Sequence, residues 1–218
     1  MTDQSVSQGE HRIGPIWHTP PVARTKPADE RREELLDAAE ASILERGITA
    51  TTVDHVTTGA GVAKGTFYLY FKTKADVVAA VQRRYNDRFV EQLRRAIAAA
   101  GDDWAARLDA CVEAGLHDHQ AERRLHDALF LHTRPEPGPD LDDALDDLVG
   151  VFRDLLVEGV AAGAYDVADV DTTAVLLFNT LHGVYDPIWL GARTPDEPRL
   201  VAAARTIYRR SVGLPDGP

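Results

Sequence analysis

The 24 residues from Thr51 to Lys74, TTVDHVTTGAGVAKGTFYLYFKTK, constrain this chain more than any others, because they hold two helical patterns, each too short to stand alone, joined through a glycine turn. Thr51 is placed to N-cap the first helix, with Asp54 three residues on as the acidic partner of a capping box, and Val53 and Val56 give it an inward face. Gly59-Ala60-Gly61 ends that helix. Val62 to Tyr68 makes barely two turns of a second. Phe67 and Phe71, four apart, turn inward and leave Lys64, Thr66 and Tyr68 outside, while Gly65 admits a close-approaching strand. Lys72 and Lys74 straddle Thr73, which with Asp76 repeats the capping-box spacing; the next helix thus begins between two ammonium groups, an arrangement suited to phosphate. Two short helices at this spacing form a helix-turn-helix, whose second helix lies in the DNA major groove.

This segment resembles the helix-turn-helix of the tetracycline-repressor (TetR) family of bacterial transcriptional regulators. The resemblance rests on Thr52 at the opening of the first short helix, Ala60-Gly61-Val62 in the turn, Lys64 to Tyr68 in the second helix, then Tyr70, Phe71 and Lys74. It departs at Thr57 and Gly59, where the family usually carries alanine, so the contact between the two helices is expected to be looser or to use the Thr57 hydroxyl. The resemblance implies an all-α fold of about nine helices. A flexible arm over residues 1–26 precedes a three-helix DNA-binding domain over 27–74 and a helical effector-binding and dimerisation domain over 75–218. It further implies a homodimer on a pseudo-palindromic double-stranded operator, acting as a repressor released by a small-molecule effector, with no cofactor. Thr52, Tyr68, Tyr70, Lys72 and Lys74 are expected to hold phosphate, and Lys64, Gly65 and Thr66 to face base edges.

A net charge of -11 is unusual for a DNA binder, but the acid is segregated. Residues 23–100 hold 13 basic against 11 acidic side chains, whereas 101–218 hold 10 against 22. An acidic rear discourages non-specific wrapping and leaves DNA affinity to a local basic patch. The single Cys111 cannot make an intrachain disulfide, and no signal-peptide pattern or run of eighteen apolar residues occurs, so a soluble cytoplasmic protein is expected.

Along the chain, Gly9, Gly14, Pro15, Pro20, Pro21 and Pro27 prevent the first residues from forming one helix. Arg24 and Lys26 stand where an arm could reach phosphate or the minor groove, or remain ordinary solvated charges. Trp17 has no assigned role. Asp29 to Arg46 carries Leu35, Leu36, Ala39 and Ile43 on one stripe, with Gly47 placed as the residue after the helix end. A long helix from Lys74 to about Ala100, striped by Val77, Val78, Val81, Tyr85, Phe89, Leu93 and Ile97, joins the two halves. Further helices are predicted over 103–117, 120–132, 140–162, 171–190 and 197–212, with Asp102 or Asp103, Asp140, Asp171 and Asp196 as N-caps.

The helix from Thr172 to Leu190 is apolar on more than one face and must be covered twice, either by a twofold mate or inside a monomer. Val175, Leu181, Ile188, Leu200, Ala204, Ile207 and Tyr208 are therefore the expected dimer interface. Trp104, Cys111, His117, His126, Phe130, Phe152, Phe178, His182 and Tyr185 combine apolar walls with polar handles and form the expected effector pocket. A metal-responsive regulator using the C-terminal histidines is the alternative. His117 with His119, and His126 with His132, are spaced poorly for one helix face, and no metal site is assigned. A helical enzyme finds no support: the serines lie in no nucleophile elbow, no glycine loop follows a strand, and Asp142-Asp143 and Asp146-Asp147 read as a solvated helix start.

Overall fold

The computed structural model describes residues 27–131, 139–184 and 196–216, without the side chains at 118–120, 131, 139–142 and 144. Nine helices and no strands occur among the described residues. They are α1 (Ala28–Ala50), α2 (Val53–Gly59), α3 (Lys64–Tyr70), α4 (Lys74–Ala99), α5 (Trp104–Ala121), α6 (Arg123–His126), α7 (Pro139–Ala161), α8 (Val170–Gly183) and α9 (Glu197–Ser211), and α6 continues as a π-helical turn over Asp127–Leu131. The expected helix over 120–132 is thus broken near Glu122 and changes its pitch. The last residues of the expected 171–190 helix lie outside the described residues.

Local chemistry explains the short helices. The chain kinks at Gly47, where φ is 76° and ψ is 166°. Thr52, not Thr51, caps α2 by accepting from the His55 amide at 3.2 Å. Thr51 is buried instead; its hydroxyl donates to the Gly47 carbonyl at 2.9 Å and lies 3.2 Å from the Ser42 hydroxyl. The register moves by one because the second threonine is the extended residue with its side chain free to turn back. Gly61 carries the turn between α2 and α3 with φ of 64°, a left-handed conformation that an L side chain would resist. Thr73 and Asp76 close the expected capping box at the start of α4 through reciprocal bonds of 3.2 and 2.9 Å. At α8 the N-cap is Asp169, accepting from the Thr172 amide, whereas Asp171 reaches across to Arg153 at 2.7 Å. Asp103 and Asp196 cap α5 and α9 as expected, while the Asp140 side chain lies outside the description.

The apolar side chains separate into two cores. The front core gathers Leu35, Leu36, Ala39, Ile43, Val56, Phe67, Phe71, Val77, Val81 and Tyr85, and is completed by Leu125 and Leu129 of the α6 segment. The rear core runs from Phe89 and Leu93 through Leu108, Leu116, Phe152, Leu156 and Phe178 to Tyr208 and Val212. Helix α4 supplies residues to both, as its long stripe predicts.

Candidate nucleic-acid interface

Phe67 and Phe71 fix α3. Both are buried, their rings 5.6 Å apart, and they hold the opposite face of the helix to solvent. On that face lie Lys64, Gly65 and Tyr68, all exposed, with Thr66 half-buried beside them. Tyr68 is 51 % exposed, and its ring packs edge-on against Phe67. The Lys64 ammonium pairs with Asp54 of α2 at 2.8 Å, and that hydrogen bond raises its pKa. Asp54 thus restrains the lysine that sequence reasoning assigned to base edges. Leu69, absent from that assignment, is the most exposed large apolar side chain among the described residues at 81 %.

Thr52 and Lys72 are exposed at the two ends of the surface. Two other expected phosphate contacts are placed differently. Tyr70 is half-buried and packs on the front core, because it follows the α3 backbone round toward Phe71. The Lys74 ammonium donates to the Ile48 and Thr49 carbonyls at 2.7 and 3.1 Å, capping backbone acceptors left open beyond the Gly47 kink. Arg24 and Lys26 lie outside the described residues. The Thr57 hydroxyl donates to the Asp54 carbonyl in its own helix at 3.2 Å. Gly59 packs on α1 rather than on α3: a Cβ there would stand 3.1 Å from the Ala38 Cβ.

Residues 35–81 match the family model for bacterial regulatory proteins of the tetR family. Its helix-turn-helix head is of the TetR type. It is 32 % identical over 134 residues to the transcriptional activator FasR of Mycolicibacterium smegmatis, a match covering 60 % of each chain and so less than two thirds of that relative. It is 29 % identical over 180 residues to the transcriptional repressor KstR2 of Rhodococcus jostii, covering 80 % of this chain and 84 % of the relative. The fatty acid degradation regulator FadR of Bacillus halodurans has a similar structure, with a TM-score of 0.68 and 25 % identity over 82 % of this chain and 94 % of that one.

Behind this TetR-type head, the residues expected to line an effector site do not form one group. Trp104 is half-buried at the start of α5, with the Arg107 guanidinium 4.4 Å from its ring and the Tyr165 ring edge-on. Cys111 is fully buried, and burial pushes its thiol up to about 12. His117 is exposed and lies 3.6 Å from Glu197. Of the other six, five join in a string of ring contacts, whose Phe152 and Phe178 share the rear core with Cys111. His126 stacks near Phe130 and His182, with ring centres 5.2 and 5.3 Å away, His182 lies on Phe178 at 5.5 Å, and Phe178 meets Phe152 at 6.3 Å. Tyr85 of the front core joins the same string, 5.7 Å from Phe130. The Gln82 amide of α4 donates to the Leu129 carbonyl in the π-helical turn at 2.9 Å. Tyr185 lies outside the described residues, as do His132 and the His119 side chain. Among the described residues, no three His, Cys, Asp or Glu side chains gather as a metal ion would need, and no helix is long and apolar enough to cross a membrane.

The expected interface residues also divide. Val175 and Ile207 are exposed on α8 and α9, together with Leu176 at 61 %. Leu181, Ala204 and Tyr208 are buried in the chain's own core, where the Tyr208 hydroxyl donates to the Leu177 carbonyl at 2.5 Å. Leu200 is half-buried, and Ile188 lies outside the described residues. A helix apolar on two faces necessarily presents one of them to its own subunit; sequence spacing alone does not say which.

Proposed function

We propose that this protein is a homodimeric, cytoplasmic transcriptional repressor that binds a pseudo-palindromic operator and releases it when a small lipophilic molecule enters the rear domain. The observation that carries the reading is α3 itself, whose buried Phe67 and Phe71 hold Lys64, Gly65, Thr66 and Tyr68 outward beside a capped helix start with Lys72. Tyr68, Lys72 and Thr52 hold phosphate and set the register; Lys64, Gly65 and Thr66 face base edges. Lys74 contributes through the position of the α4 start rather than by touching DNA. Arg24 and Lys26 extend the contact as an arm.

The exposed Val175, Leu176 and Ile207 support pairing of α8 and α9 with the same helices of a second copy. Two heads then occupy successive major grooves about 34 to 36 Å apart. The string from Tyr85 to Phe152 supports coupling, since a molecule wedged among Phe178, His182 and His126 displaces the segment that closes the front core through Leu125 and Leu129. Release requires only that the effector favour the wrongly spaced dimer by a few kcal/mol. The similarity to the fatty acid degradation regulator FadR makes fatty acids the first compounds to try. In the test, DNA upstream of the gene is footprinted with the purified protein, and spin labels on the two heads report their separation. A protected pseudo-palindrome, lost with a changed head separation when one compound is added, is expected. Release of DNA at unchanged separation would overturn the mechanism.

A further inference from the structure

The outward face of α3 contains a residue whose chemistry the phosphate and hydrogen-bonding contacts do not use. Leu69 follows Phe67 by two residues and precedes Phe71 by two, so it points about 160 to 200° away from the buried side of the helix. Its 81 % exposure agrees. It shares its face with Gly65, four residues earlier, which has no side chain to cover it. Lys64, on the exposed side of the same helix, is held by Asp54 at 2.8 Å. The middle of the reading face is thus aliphatic.

Water gives an exposed leucine no compensation, whereas the major-groove edge of a base pair offers one apolar group, the C5-methyl of thymine. From this geometry we infer that Leu69 is a specificity-determining residue, which selects thymine in each half-site by packing on its 5-methyl group. The inference rests on the DNA-reading role proposed above. The methyl contact adds an apolar element to the base-edge contacts proposed for Lys64, Gly65 and Thr66.

Deoxyuridine differs from thymidine in a duplex by that methyl alone, which makes it the probe. Operators are first selected from random duplex DNA with the wild-type protein. The best sequence is then made with each thymine in turn replaced by deoxyuridine, and its affinity is measured for wild type and for Leu69→Ala. Wild type is expected to lose roughly fourfold in affinity at one thymine per half-site, the effect of about 0.8 kcal/mol for one buried methyl group. Leu69→Ala is expected to bind the two DNAs alike while keeping its melting temperature and its salt dependence. If every deoxyuridine duplex binds wild type as thymidine does, or if Leu69→Ala still discriminates, the inference is overturned and the DNA-reading role stands. If selection enriches no sequence, that role falls, and the inference falls with it.

Discussion

Among the described residues the front core buries three polar side chains, Ser42, Thr51 and Thr57, all hydroxyls, while the rear core buries two, Asp109 and Arg209, both charged. The hydroxyls are satisfied within reach of their own helix: Thr57 by the Asp54 carbonyl, and Thr51 by the Gly47 carbonyl and Ser42. The charges are satisfied across 100 residues of sequence, Arg209 of α9 donating to Asp109 of α5 at 2.9 Å, with Arg205 on the same carboxylate. A neutral hydroxyl bonded locally fixes a turn at little risk, whereas a buried ion pair is severe on any arrangement that separates its members. The buried hydroxyls of the head thus answer to local backbone chemistry, whereas the seating of α9, the helix proposed to meet a second copy, depends on a long-range electrostatic match.

The contrast breaks most visibly at Asp109. Its removal in Asp109→Ala strands the Arg209 guanidinium and should cost about 3–5 kcal/mol in chemical denaturation; a loss no larger than that of a hydroxyl would erase the distinction. The same carboxylate predicts a pH effect. Burial pushes Asp109 up, but the hydrogen bonds from Arg209 and Arg205 outweigh it and hold the carboxyl below its ordinary value. A group depressed on folding stabilises fully above its unfolded pKa, about 3.9 for Asp, and loses that contribution as pH falls through the folded value. Wild type should thus lose stability below about pH 4 more steeply than Asp109→Asn in parallel melts. Next in size is Leu129→Ala. Leu129 sits in the rear half of the sequence yet is fully buried in the front core. The cavity should cost about 2–5 kcal/mol and weaken DNA binding without touching DNA. Retained operator affinity in a destabilised variant would separate the α6 segment from the head. Smallest is Thr57→Ala, expected to cost about 0.5–1.5 kcal/mol because one local hydrogen bond is lost.

These two kinds of specification also decide what could be read in advance. The capping box at Thr73, the inward Phe67 and Phe71 and the stripe of α4 depend on neighbours three or four residues away, and all three stand as the spacing implied. So do the locations of the other helices among the described residues, except that the one expected over 120–132 breaks near Glu122 and winds into a π-turn over Asp127–Leu131. Thr51 and Thr52 were exchanged because both can cap, and only the position of the Gly47 kink decides between them. Leu69 was legible, being opposite both phenylalanines, but a search for polar contacts passes over it. The rear was not legible in the same way. His126, beside Phe130, meets His182, beside Phe178, across more than fifty residues, and no periodicity encodes that pairing. Leu181 and Val175 look alike in sequence, yet α5 covers the first and leaves the second in solvent.

The central claim, that the exposed face of α3 and the start of α4 bind operator DNA, is tested most directly by the salt dependence of operator affinity in wild type, Tyr68→Ala and Lys72→Ala. Log affinity should fall linearly with log salt at about -0.9 per neutralised phosphate, and Lys72→Ala should reduce the slope by about one such contact. Tyr68→Ala should weaken binding with little change of slope, and both variants should keep wild-type stability within about 0.5 kcal/mol. Affinities and slopes unchanged in both folded variants would contradict the account.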